Sequence, residues 1–307
     1  MNPDAYTLAE HTLDVGHGHT LHIQDWGNKK AKTPIFFLHG GPGDGCKDKH
    51  KLPFDPATQR VIFHDQRGSG KSTPLGRWHH NNTQELAADI TRIADFLQID
   101  SFILTGDSWG STLALYYAIQ EPKRIKALVV GSVWTCSQRE QAWENQGMFR
   151  THFPDAWDAY LSATPKKHWN DPNAYHFPRI LGDDEALAQS SALAYATLFA
   201  AIMGLNDLFV PIDQETFDRT SLSLMVRYMT KQCFMTDDFI LKNAHKLNMP
   251  VYVTHGRYDL LCPPETAYLL HKQIPHSSLT WTISGHRNEH ENTTAKRLIY
   301  KHLTESL

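Results

Sequence analysis

Four short, continuously apolar runs set the first constraint on this chain: "TPIFFLHG" (33–40), "RVIFHDQRG" (60–68), "SFILTG" (101–106) and "IKALVVGSV" (125–133). A strand that is apolar on both faces must be covered on both, which is the situation of a parallel sheet sandwiched between helices. After the second run, Leu86, Ile90, Ile93 and Leu97 recur at steps of four, three and four, along one face of a helix. Asn82 followed three residues later by Glu85 gives a capping signal at its start. "STLALYYAIQ" (111–120) predicts the next helix, stopped by Pro122. Strands and helices that alternate through short connections imply a parallel sheet with right-handed crossovers. Two earlier segments, "YTLAEHTLDV" and "TLHIQDWG", read as hairpin strands.

The alternation breaks at about residue 135. From there to 245 the segments are helix-like, rich in Trp, Tyr, Phe and Met, with no buried-type strand. Alternation resumes with "PVYVTHG" (250–256), a helix near 264–273, "SLTWTI" (278–283) and an amphipathic C-terminal helix. The expected fold class is α/β, a mostly parallel sheet flanked by helices. Core segments 1–134 and 246–307 would carry an inserted helical cap over 135–245.

Composition excludes more than it assigns. A net charge of −3 over 307 residues sets up no field for nucleic acid or an anionic membrane. No apolar run approaches the roughly 20 residues that span a bilayer. The opening "MNPDAYTLAEHTLDVG" has neither a basic n-region nor an apolar h-region, so a cytoplasmic location is expected. Cys46, Cys136, Cys233 and Cys262 are scattered without C-x-x-C, indicating neither a zinc site nor a disulfide framework. His17, His19 and His22 have no carboxylate or thiolate at ligand spacing and read as a polar turn, so no metal is expected.

"GDSWG" (106–110) fits G-x-S-x-G and stands between an apolar strand and an apolar helix. Small flanking residues let the backbone turn sharply, lifting Ser108 above the sheet edge beside a helix N-terminus. Free N–H groups there favour a developing oxyanion. "HGGPG" (39–43) follows an earlier strand directly, which makes the N–H groups of Gly41 and Trp109 the candidate oxyanion pair. "HGRYD" puts Asp259 at the end of one late strand and "SGH" puts His286 at the end of the next. The chain order Ser, Asp, His suits a base, His286, held by an orienting acid, Asp259; His290 is the rival base. "GSGKST" (68–73) imitates a phosphate-binding loop, but its first glycine is replaced by Asp65 and Pro74 follows at once. Nucleotide binding is therefore not expected.

"HGGPG", "DQRGSGKSTP" (65–74), "GDSWGSTLALYYA" (106–118), "FPDAWDAYL" (153–161) and "GRYDLLCPP" (256–264) together resemble the prolyl iminopeptidase family of α/β-hydrolases, in order from about residue 6 to 303. The resemblance implies a capped α/β-hydrolase that removes N-terminal proline from small peptides without metal or cofactor. Ser108, Asp259 and His286 match its triad. Two departures accompany it. Asp107 stands where the family usually has glycine, and Ala200 and Thr230 stand, in gapless register, where it has glutamates for the substrate's amino group. Asp207 is a cap acid that could substitute. Those departures leave open an esterase or amidase on the same scaffold, acting on a small peptide, amide or ester. The intact Ser, His and Asp argue against a non-catalytic binding protein.

Overall fold

Each apolar run becomes a strand of one eight-stranded sheet in the computed structural model, which describes residues 3–203, 212, 217–286 and 289–307. The strands are β1 (Thr7–Asp14), β2 (Thr20–Gly27), β3 (Ile35–Leu38), β4 (Arg60–His64), β5 (Phe102–Asp107), β6 (Ile125–Gly131), β7 (Val251–Gly256) and β8 (Ser278–Thr282). Their spatial order is β1-β2-β4-β3-β5-β6-β7-β8, antiparallel across β1–β2 and β2–β4 and parallel elsewhere. Every residue of β3 is buried, as its run of apolar side chains requires.

The chain reverses its direction of travel across the sheet between β4 and β5, on either side of β3. Open α/β sheets gather functional groups at such a switch point. Register makes this concrete: Leu38 pairs with Gly106, so the loops leaving β3 and β5 start side by side.

Helix α1 (Thr83–Phe96) buries Leu86, Ile90 and Ile93, with Leu97 half-buried at its end. Asn82 caps it, accepting from Glu85 N at 2.9 Å, while the Glu85 carboxylate turns to Arg67 and Arg92. Helix α2 (Trp109–Gln120) is buried almost throughout because it crosses the middle of the sheet. Between β6 and β7 come α3 (Gln138–Trp143), α4 (Phe149–His152), α5 (Pro154–Ser162), α6 (Pro172–Ile180), α7 (Glu185–Ile202), α8 (Thr220–Thr230) and α9 (Phe239–Asn243). Helices α10 (Pro264–Gln273) and α11 (Glu289–Ser306) complete the chain.

The inserted helices return onto the start of α1. Tyr228 Oη donates to Asn81 Oδ1 at 2.8 Å, and Gln84 Nε2 donates to the Phe234 carbonyl at 2.7 Å. Here one expectation is corrected. Cys136 and Cys233 form a disulfide with their Cα atoms 6.3 Å apart, although 97 residues separate them. No local spacing signals such a pair; it arises because the segments leaving β6 and α8 converge. The histidine cluster also proves less exposed than a polar turn. His19 is fully buried against the His79 carbonyl, and His22 lies 3.4 Å from Asp65. His17 stacks on His80 near Glu85, whose carboxylate is already held by Arg67.

The false phosphate loop has its own physical role. It packs on a carboxylate of the same chain: Asp65 accepts from Lys71 N of this loop at 2.8 Å and from Cys46 N, in the segment between β3 and β4, at 2.6 Å. A Cβ on Gly70 would overlap that carboxylate. Burial alone would raise the Asp65 pKa, but the hydrogen bonds from His22, Cys46 and Lys71 outweigh it and hold it at about 2.

Candidate active site

Ser108 is the N-cap of α2, with φ +55° and ψ −126°, a conformation few side chains adopt without support. The support is steric. A Cβ on Gly106 would collide with the backbone of Gly110, and one on Gly110 would collide with the Leu38 carbonyl oxygen. Both glycines are therefore required by close backbone approach. Ser108 N also donates to the Gly131 carbonyl at 3.2 Å, tying the turn to the adjacent strand.

Gly41 adopts φ +111° and lines the cavity above Ser108. Among the described residues, neither Gly41 N–H nor Trp109 N–H donates a hydrogen bond, so both remain available to a ligand oxygen. Their two loops are clamped together by Gln66. Its Nε2 donates to the His39 carbonyl at 2.9 Å, its backbone N–H donates to His39 Nε2 at 3.0 Å, and its Oε1 accepts from Trp109 Nε1 at 2.8 Å. Gln66 lies within "DQRGSGKSTP", and nothing in its spacing marks it as a bridge between two loops.

Asp259 is fully buried in the loop after β7. Its Oδ1 accepts from Leu261 N at 3.1 Å and Cys262 N at 2.8 Å, and His286 Nδ1 lies 2.9 Å from its Oδ2. Burial would raise its pKa, but the His286 charge and hydrogen bond outweigh that and hold it below the ordinary carboxylate value. His255 braces the same loop: its Nδ1 accepts from Val133 N at 3.0 Å and its Nε2 donates to the Cys262 carbonyl at 2.9 Å. Those two contacts define a neutral ring, and burial lowers its pKa accordingly.

Ser108 and His286 open onto one cavity of about 410 Å³, a size suited to a small ligand. Its walls are apolar where α7 and α8 close over it, through Ala196, Phe199, Leu222 and Met225. His290 lies exposed on the first turn of α11, away from this cavity. Of the two positions where the resemblance led one to expect glutamates, Ala200 lines the cavity and Thr230 is not among its described lining residues. Thr230 is exposed and donates to the Arg227 carbonyl at 3.0 Å. Asp207 lies outside the described residues.

A family model for the alpha/beta hydrolase fold matches residues 33–286. A proline iminopeptidase from Xanthomonas citri is 35 % identical over 302 residues, covering 96 % of each chain. The proline iminopeptidase of Arabidopsis thaliana is 30 % identical over 94 % of this chain and 77 % of its own. The chain belongs to the proline iminopeptidase family of α/β hydrolases. It is accordingly a hydrolase enzyme.

Solved structures agree on the fold. The Mycobacterium smegmatis proline iminopeptidase superposes with a TM-score of 0.61 at 20 % identity, over 97 % of this chain and 98 % of that one. The Rhodococcus sp. ECU1013 esterase RhEst1 superposes at 0.63 and 18 % identity, over 98 % and 100 %. At such identities the likeness concerns the fold alone. Among the described residues of this proline iminopeptidase family member, no helix is long and apolar enough to cross a membrane.

Proposed function

We propose that this enzyme removes N-terminal proline from short peptides through an acyl-enzyme on Ser108. The observation that carries the reading is the contact of His286 Nδ1 with buried Asp259, at 2.9 Å, on the cavity that Ser108 also lines. An ionised Asp259 accepts from Nδ1–H, so the free lone pair of the ring sits on Nε2. Ser108 Oγ attacks the carbonyl carbon of the substrate's first residue while His286 Nε2 takes its proton. The carbonyl oxygen gains the negative charge and accepts from the unspent N–H groups of Gly41 and Trp109. Collapse of this adduct breaks the C–N bond, and His286 returns the proton to the leaving amine. Water, activated by the same ring, then releases the acyl group and regenerates Ser108.

The apolar walls suit a pyrrolidine ring, and residues 135–245 serve as the cap that shapes them. A second reading, an esterase or amidase indifferent to a free amine, draws support from Ala200 on the cavity wall. A fluorophosphonate probe and a proline-alanine dipeptide test the proposal together. Stoichiometric labelling with release of free proline is expected. Folded protein that resists the probe would rule out the serine mechanism.

A further inference from the structure

A peptide that begins with proline carries a secondary ammonium at neutral pH, and an apolar cavity takes up such a group only beside a counter-charge. Among the described residues, the acids lining the cavity are poorly placed for this. Asp107 is committed to Lys296, Asp218 is exposed and accepts from Thr220 N and Oγ1, and Asp44 is exposed in a lysine-bearing segment.

One acid behind the wall differs from these. Glu144, at the end of α3, is only 5 % exposed, and among the described residues neither a cation nor a hydrogen-bond donor meets its carboxyl group. Its surroundings fix its place. Trp143 Nε1 donates to the Leu260 carbonyl at 2.8 Å, holding this turn against the loop that carries Asp259, Leu261 and Cys262. The buried Cys262 side chain lies within electrostatic reach of Glu144 and close enough to Ser108 to feel its hydroxyl. Fully buried Tyr195 of α7 is also within that reach. Leu261 and Ala196, the sequence neighbours of Cys262 and Tyr195, line the cavity.

We propose that Glu144 is the counter-charge for the substrate's ammonium, the specificity-determining acid of this enzyme. The inference rests on the aminopeptidase reading above. Among the described residues, the titratable groups that face Glu144 are Glu140 from its own helix, Tyr195 from α7 and Cys262 from the loop after β7, and none is cationic. Glu140 is itself saturated by Thr135 and Ser137. Burial, reinforced by Glu140, pushes the Glu144 carboxyl up to about 8, so it rests protonated in the free enzyme. An ammonium brought alongside favours ionisation, and the proton released passes to solvent.

The test compares Glu144→Gln with wild type on proline nitroanilide, its N-acetyl analogue and nitrophenyl acetate. The variant should lose roughly 10- to 100-fold in kcat/KM on the free amine, as expected for one charge-assisted hydrogen bond, and keep the other two rates. Pyrrolidinium, the cationic ring alone, should inhibit ester hydrolysis by wild type at least about tenfold better than by the variant. Equal losses on all three substrates would make Glu144 merely structural and overturn the proposal. So would an unchanged free-amine preference, or transfer of the loss to Asp44→Asn. A wild-type enzyme that turns over the ester but shows no preference for free over blocked proline fails the aminopeptidase reading itself, and this inference falls with it.

Discussion

Lys296 of α11 closes an ion pair on Asp107, the residue immediately before Ser108. The pair spans 189 positions of sequence and joins the nucleophile turn to the helix that begins shortly after His286. Two members of the proposed triad therefore share one anchor. Gly131 leaves the notch for it, since a Cβ there would overlap the Asp107 carboxylate. The Lys296 side chain is 5 % exposed and that of Asp107 46 %.

This asymmetry sets a stability prediction. Asp107→Asn strands a buried ammonium and should cost roughly 2–3 kcal/mol, below the usual loss for a fully buried pair because Asp107 reaches solvent. Lys296→Met leaves the half-exposed carboxylate and should cost less. The double variant should recover part of the larger loss in urea denaturation. Strictly additive costs would mean the two side chains do not interact.

Ser108→Ala and His286→Ala should each lower kcat by about 10⁴-fold or more, because nucleophile and base act as one unit. The circular dichroism spectrum should be unchanged, and probe labelling should vanish in the serine variant. Activity within tenfold of wild type in purified Ser108→Ala would move the nucleophile elsewhere.

Gln66→Leu keeps the bulk of the bridge between His39 and Trp109 but removes its polar atoms. The proposed oxyanion donors would lose their common register, so kcat should fall by about tenfold or more with KM little altered. A rise in KM at constant kcat would instead assign Gln66 to ground-state binding.

Stability should peak near pH 6.5. Burial drives His64 down to about 3 and His50 and His176 down to about 4, against an ordinary 6.5. Their contribution is complete above 6.5 and is lost as pH falls toward those values, because the unfolded chain binds protons first. Glu144 has the opposite sign: held at about 8 against 4.5, its contribution is complete below 4.5 and is lost as pH rises toward 8. Below 6.5 three rings oppose one carboxyl, and above it the carboxyl acts without them. Tm measured across pH 4–9 should show this maximum, and Glu144→Gln should flatten the alkaline side. A Tm that climbs steadily toward pH 4 would contradict neutral burial of the rings.

Much of the fold was legible in the chain because short-range rules govern it. Apolar runs such as "PIFFL" can only be covered on both faces, and the periodic Leu86, Ile90 and Ile93 can only face one way. The glycines around Ser108 mark a turn that larger residues could not make. That Asp259 and His286 would come together was legible for a related reason: each follows a strand, and the parallel strands β7 and β8 end on the same edge. The tertiary structure alone decided the rest. Nothing local announces that Cys136 meets Cys233, that Lys296 reaches Asp107, or that Gln66 clamps two loops. A glutamate at position 144 reads as an ordinary helix former until the packing of α7 and the loop after β7 removes its water. Those features depend on which distant surfaces exclude solvent together, a collective outcome of packing that no window of sequence contains.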